Sequence, residues 1–200
     1  MYNSVENYCQ QLTNNFDEIT EDRKHILNKI TAYIKHKNGE PTNLIYVCTH
    51  NSRRSHFGQI WATVAADFYN IKNIKAYSAG TEQTAFHPNA IKALGRIGFK
   101  IEKPKVEQNP KYVVNFEENK FTTCFSKTID HKTLPQQNFA AIMTCDDAEQ
   151  NCPFLPGAET RIATTYQDPK AFDGTPKEAE KYDERCRQIA LETLYVFSQL

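Results

Sequence analysis

The run Asn43–Trp61, NLIYVCTHNSRRSHFGQIW, limits what this chain can fold into more than any other stretch. Leu44 to Val47 are apolar or aromatic without a polar break, as in a short strand buried on both faces. Cys48 ends that strand, a polar loop runs from Thr49 to Arg54, and a helical pattern begins at Ser55. Helix N-termini expose unpaired N–H groups and partial positive charge, so they bind oxyanions. The same field favours a thiolate, as does Arg54 six residues after Cys48. Thiolate and guanidinium together would serve as nucleophile and clamp for a tetrahedral oxyanion.

Composition narrows the setting. A chain of 200 residues supports one well-cored domain with an appendage. Its 24 basic and 24 acidic residues give zero formal charge, which argues against a nucleic-acid or membrane partner. The N-terminus lacks an apolar signal core, and no apolar run reaches transmembrane length. Six cysteines are sparse for a secreted disulfide framework, so the expected compartment is a reducing cytoplasm.

Residues 1–40 read as a helical extension. Ser4 is the expected cap of a first helix, and Thr20 precedes a second with Ile26, Leu27, Ile30, Tyr33 and Ile34 on one face. Residues 41–200 read as the main domain. Strands are expected at Ile74–Ala79, Phe139–Thr144 and Arg161–Thr164. Helices are expected at Ser55–Tyr69 and Pro88–Arg96. The runs KYVVNF and KFTTCF, split by Glu117-Glu118-Asn119, read as a β-hairpin within about 106–138. Thr175, Pro176 and Glu178 form a capping-box pattern for a long last helix. Alternating strands and helices imply an α/β fold, a parallel sheet with helices on both faces. Loops then gather at the carboxyl edge, where Cys48, Ser78, Cys145 and Asp168 would meet.

Cys48-x5-Arg54-Ser55 and the segment Ser78-Ala79-Gly80-Thr81 resemble the phosphate loop and its neighbour in low-molecular-weight protein tyrosine phosphatases. The thioredoxin-coupled arsenate reductases share that fold. The resemblance covers residues 43–105 and 139–198, so the extension and the hairpin insertion fall outside it. It implies oxyanion binding by Thr49, His50, Asn51, Ser52, Arg53, Arg54 and Ser55. Ser55 would donate to the Cys48 sulfur, and Asn51 would lock the loop. Asp168-Pro169 would supply a general acid, with Asp173 as rival.

Cys145 and Cys152, in MTCDDAEQNCPFLP, resemble the redox segment of the arsenate reductases. That resemblance implies a relay in which Cys48 attacks arsenate, Cys145 releases arsenite, and Cys152 forms a disulfide that thioredoxin reduces. A helix would hold the Cα atoms of residues 145 and 152 about 10 Å apart, beyond the roughly 4.4–6.8 Å of a disulfide. The segment is therefore expected to be a loop or to rearrange on oxidation. Asp146, Asp147 and Asn151 disfavour a helix interior there.

Two loop positions depart from the pattern. His50 stands where glycine is usual, which raises the question of a positive φ. Arg53 stands where many relatives have cysteine and would add positive charge beside the anion. Cys124 and Cys186 read as packing, and His87 and His131 as surface or packing residues.

No cofactor is implied, and the absence of a second CxxC pair argues against zinc. Arsenate reduction is the leading reading. Hydrolysis of phosphotyrosine or a small phosphomonoester through a phosphocysteine is the alternative. A non-catalytic oxyanion-binding regulatory module is the reading of another class.

Overall fold

The computed structural model describes residues 1–102, 105, 108–151 and 155–200. Among these, β1 (Thr42–Cys48), β2 (Ile74–Gly80), β6 (Phe139–Met143) and β7 (Ala158–Ala163) form a parallel sheet in the order β2-β1-β6-β7. β1 is central because its apolar run has neighbours on both edges, Val47 lying opposite Ala79 and Met143.

The pleat of β1 divides the core. Leu44 and Tyr46 face the larger apolar cluster, and Ile45 and Val47 face the smaller one. α1 (Asn3–Thr13), α2 (Glu21–His36), α3 (Arg54–Phe68), α4 (Pro88–Ile97) and α6 (Glu178–Ser198) supply the large cluster. The other face is covered by α5 (Asp146–Asn151) and by Ile129, Leu134 and Leu155 from irregular chain. The sheet is thus flanked by helices on both faces, but unequally.

The hairpin runs become β4 (Tyr112–Glu117) and β5 (Lys120–Cys124). A third strand, β3 (Lys100–Glu102), completes an antiparallel sheet ordered β3-β4-β5. Three residues, Lys-Ile-Glu, carry too little alternation to announce that strand.

Local expectations are corrected in three places. Ser4 does not cap α1; Tyr2 holds the N-cap position without a side-chain bond. Ser4 instead packs against Gly98, the left-handed C-cap of α4. α6 begins at Glu178 rather than after Thr175, because Thr175 closes a turn on Phe172 O. Glu178 reaches back to Gly174 N at 2.7 Å instead of completing a box with Thr175. Residues 146–151 form α5, which excludes the loop alternative and leaves rearrangement on oxidation; acidic Asp146, Asp147 and Glu149 in its first turn offset their weak propensity. Thr20 does cap α2, accepting from Arg23 N at 3.3 Å.

α3 lies close on β1 at Gly58, where a Cβ would stand 2.3 Å from Tyr46 Cδ1 and 2.5 Å from its Cγ. The Tyr46 ring is buried and cannot swing clear. Overpacking of this kind costs about 1–3 kcal/mol, more than the roughly 1 kcal/mol that alanine gains over glycine in a helix. Gly58→Ala is therefore expected to lower the thermal midpoint by several degrees in a calorimetric scan.

Candidate active site

Cys48 ends β1 and Arg54 begins α3, so strand, loop and helix meet as the apolar pattern requires. Asn51 holds the turn. Its φ is 42°, a left-handed value that asparagine tolerates better than most residues. His50 is not among the residues with positive φ, so its replacement of glycine costs no backbone strain. The His50 imidazole instead turns outward, 3.5 Å from Glu82.

Hydrogen bonds close the loop from both sides. Asn51 Nδ2 donates to Ser55 Oγ at 2.8 Å, and Asn51 Oδ1 accepts from Lys127 N at 2.9 Å. Ser55 Oγ lies 3.1 Å from Cys48 Sγ. With one oxygen lone pair taken by Asn51, the Ser55 hydroxyl proton is free to point at the sulfur. Ser126 Oγ donates to His50 O at 2.9 Å, and Ser52 Oγ donates to Ala85 O at 2.7 Å. Glycine is required at position 80: a Cβ there would lie 2.6 Å from Thr49 O and 2.7 Å from Asn51 N.

The two loop arginines part company. Arg54 Nη2 donates to Asp168 Oδ2 at 2.6 Å, and Nη1 donates to Tyr166 O at 2.8 Å. Among the described residues Arg54 Nε has no hydrogen-bond partner, although it is buried. Arg53 Nε donates to Tyr182 OH at 2.7 Å and Nη2 to Asp173 Oδ2 at 3.1 Å. Tyr182 and Asp173 take up these donors, and Arg53 Nε also lies 3.9 Å from Asp168 Oδ1, so its charge stays beside the loop. Asp173 is thus tied to Arg53 and Tyr182, and contact with these holds its carboxyl below the usual range despite the opposing effect of burial. Asp168 is the carboxylate that faces Arg54, and it caps the 3-10 turn Pro169–Phe172.

Cys145 follows β6 and is fully enclosed. Its sulfur accepts from Ala148 N at 3.4 Å and lies 3.4 Å from Thr49 Oγ1, whose own proton goes to Asp147 at 2.6 Å. A single loop side chain therefore joins Cys145 to the Cys48 loop. Cys152 lies outside the described residues. Cys124 and Cys186 are buried, and burial pushes both thiols up to about 12. His87 caps α4 through Nδ1 and stacks on Tyr182. His131 packs on Phe125 and bonds Thr133.

Behind the loop lies a polar cluster that no motif announces. Ser78 Oγ donates to Gln59 Oε1 at 2.7 Å and sits 3.0 Å from His56 Nδ1. Lys127 Nζ donates to Phe125 O at 3.1 Å and lies 4.4 Å from the Phe125 ring centroid. Burial lowers the Lys127 ammonium to about 8, and burial with that ammonium nearby keeps His56 neutral. Hydrophobic spacing gave no cue to this cluster, since Gln59 and His56 sit on a helix face that would otherwise be apolar.

The sign of the resulting pH dependence is fixed. Unfolded, the lysine holds its proton up to 10.5; folded, it releases it above about 8. Between these values the unfolded chain binds more protons, so stability rises with pH. At about 1.4 kcal/mol per pH unit, wild type should gain about 3 kcal/mol on Lys127→Met between pH 7 and pH 11. Urea unfolding of both proteins across that range measures it.

Comparison with known proteins agrees with this architecture. No model of a known protein family matches the chain. A curated arsenate reductase of Bacillus licheniformis is 29% identical over 157 residues, spanning 78% of this chain and 94% of the relative. A solved arsenate reductase in a phosphate-binding state superposes with a TM-score of 0.53 at 16% identity, covering 78% of this chain and 97% of its own. A low-molecular-weight phosphotyrosine phosphatase from Vibrio cholerae gives 0.50 at 16% identity, with 78% and 94% covered. In sequence the chain is thus similar to curated arsenate reductases, and its fold is that of solved arsenate reductases and low-molecular-weight phosphatases.

Proposed function

We propose that the chain is an arsenate reductase in which Cys48 is the nucleophile and Cys145 and Cys152 form a relay reduced by thioredoxin. The observation that carries this reading is the contact of Cys145 with Thr49 of the oxyanion loop. A thiol that merely fills the core has no reason to sit against a loop side chain at the carboxyl edge of the sheet.

The chemistry follows from the loop. Ser55 Oγ lies 3.1 Å from the Cys48 sulfur, which sits at the N-terminal turn of α3 as the nucleophile. Arsenate docks on the loop N–H groups and on Arg54, whose Nε, without a hydrogen-bond partner among the described residues, offers a donor. An arriving oxyanion competes with Asp168 for Arg54 Nη2. Asp168, at the mouth of the loop, then serves as general acid.

Cys48 displaces one arsenate oxygen, which leaves as water after taking the Asp168 proton. Cys145 then attacks the Cys48 sulfur, the electron pair of the S–As bond passes to arsenic, and arsenite departs. Two thiols have become one disulfide as As(V) becomes As(III). Cys152 attacks the Cys145 sulfur and frees Cys48 as thiolate. Thioredoxin returns the resulting disulfide to two thiols. A helix continued from residues 146–151 would hold positions 145 and 152 about 10 Å apart, so in this reading the Cys145–Cys152 disulfide forms as α5 unwinds. A six-residue helix is too short to be stable on its own propensity, which makes the unwinding cheap.

Hydrolysis of a phosphomonoester through a phosphocysteine would use the same Cys48, Arg54 and Asp168, and the same loop accommodates it. Only the relay thiols separate the two activities. The test is arsenate-dependent NADPH oxidation with thioredoxin and its reductase, using wild type, Cys145→Ser and Cys152→Ser. Turnover lost in both variants, with p-nitrophenyl phosphate hydrolysis retained, is the expected result. Arsenate turnover absent from wild type, with aryl phosphate cleaved, would make the chain a phosphatase.

A further inference from the structure

Arg23 of the N-terminal helices reaches the stretch that leads to Tyr166 and Asp168. Arg23, in the first turn of α2, donates to Glu192 on α6 from Nε at 3.0 Å and from Nη2 at 2.7 Å. Its Nη2 also donates to Thr164 O at 3.2 Å, and its guanidinium lies 4.8 Å from the Tyr166 ring centroid. Glu192 is 3% exposed, and its carboxylate accepts from Tyr166 OH at 2.8 Å and from Gln188 Nε2 at 3.1 Å. Tyr166 O in turn accepts from Arg54 Nη1. Asp168 lies two residues further along the same stretch and faces Arg54 Nη2.

We propose that Arg23 is a positioning residue: by clamping Thr164 and, through Glu192, Tyr166, it fixes the carbonyl that orients Arg54 and the turn that carries Asp168. This rests on the reading of Arg54 and Asp168 as functional partners. The stretch 164–168 leaves β7 and has little structure of its own before the 3-10 turn. Backbone bonds from Thr164 N to Met143 O and from Tyr166 N to Thr144 O hold one side. The Tyr166 side chain holds the other, and its phenol has one proton, which goes to Glu192. Glu192 needs a cation to stay buried, and Arg23 forms a salt bridge with it at 2.7 Å. A planar fork can reach the carboxylate and the Thr164 carbonyl together, which an ammonium cannot do with the same fixed geometry. The extension is thereby part of the site's scaffold rather than a detached appendage.

Removing Arg23 alone would strand a buried carboxylate, so Arg23→Gln is paired with Glu192→Gln, which removes both charges at once. Arg23→Lys keeps the counter-charge and loses the fork. Arg187→Gln is the control, because it cuts an exposed tie from α6 to Glu18 that touches none of these groups. The first readout is the rotation rate of the Arg54 guanidinium by nitrogen-15 NMR, which needs no catalysis. The second is kcat/KM for p-nitrophenyl phosphate, with circular dichroism to confirm the fold.

The expected result is faster Arg54 rotation in the double variant, an intermediate rate in Arg23→Lys, and no change in Arg187→Gln. Misplacing a catalytic group by a fraction of its length costs about ten- to a hundredfold in rate, so kcat/KM should fall by that factor in the double variant. Arg54 rotation unchanged in a folded double variant or in Arg23→Lys would overturn the proposal. If wild type hydrolyses nothing, the phosphoryl chemistry fails, while the rotation rates still decide the clamp.

Discussion

The hydrogen bond from Asn51 Nδ2 to Ser55 Oγ is the contact on which the site depends. It joins the middle of the loop to the first turn of α3 and leaves the Ser55 proton for Cys48. It demands a left-handed backbone at residue 51, which asparagine supplies, and close approach of β2, which Gly80 permits. The other half of the Asn51 amide is satisfied by Lys127 N, from the chain that returns from the hairpin. The loop is thus held from outside the segment that contains it. Ser126 and Lys127, in the region that departs from the family pattern, hold its conformation.

Charge is arranged with similar economy around this loop. Arg53 and Arg54 are adjacent in sequence and share Asp168: Arg54 meets it at 2.6 Å, while Arg53 lies 3.9 Å from it and pairs more closely with Asp173 at 3.1 Å. Arg54 keeps one nitrogen unpartnered among the described residues, and its Nη2 donates to the part-exposed Asp168. Buried Glu192 extends the same logic, accepting from Arg23 on one side and Tyr166 on the other.

Much of the fold was legible because the relevant signals are local. The unbroken apolar run before Cys48 marked a central strand, and Thr20 marked the start of α2. The sequence also set Cys48 at a strand end and Arg54 at a helix start. What was not legible depends on partners far along the chain. β3 is specified by pairing with β4, not by its own three residues. The start of α6 is decided by the turn at Phe172, which captures Thr175. The orientation of Arg53 depends on Tyr182, and the bond between Arg23 and Glu192 spans 169 positions. Periodicity carries no information about contacts of that range.

The central claim is that Cys48 lies in an oxyanion cradle closed by Arg54. Peptide-resolved mass spectrometry of iodoacetamide labelling, with and without inorganic phosphate, tests it most directly. The account predicts that Cys48 labels fastest of the buried thiols and that phosphate slows it in a saturable way. Labelling of Cys48 at the same rate with and without phosphate or arsenate would contradict it.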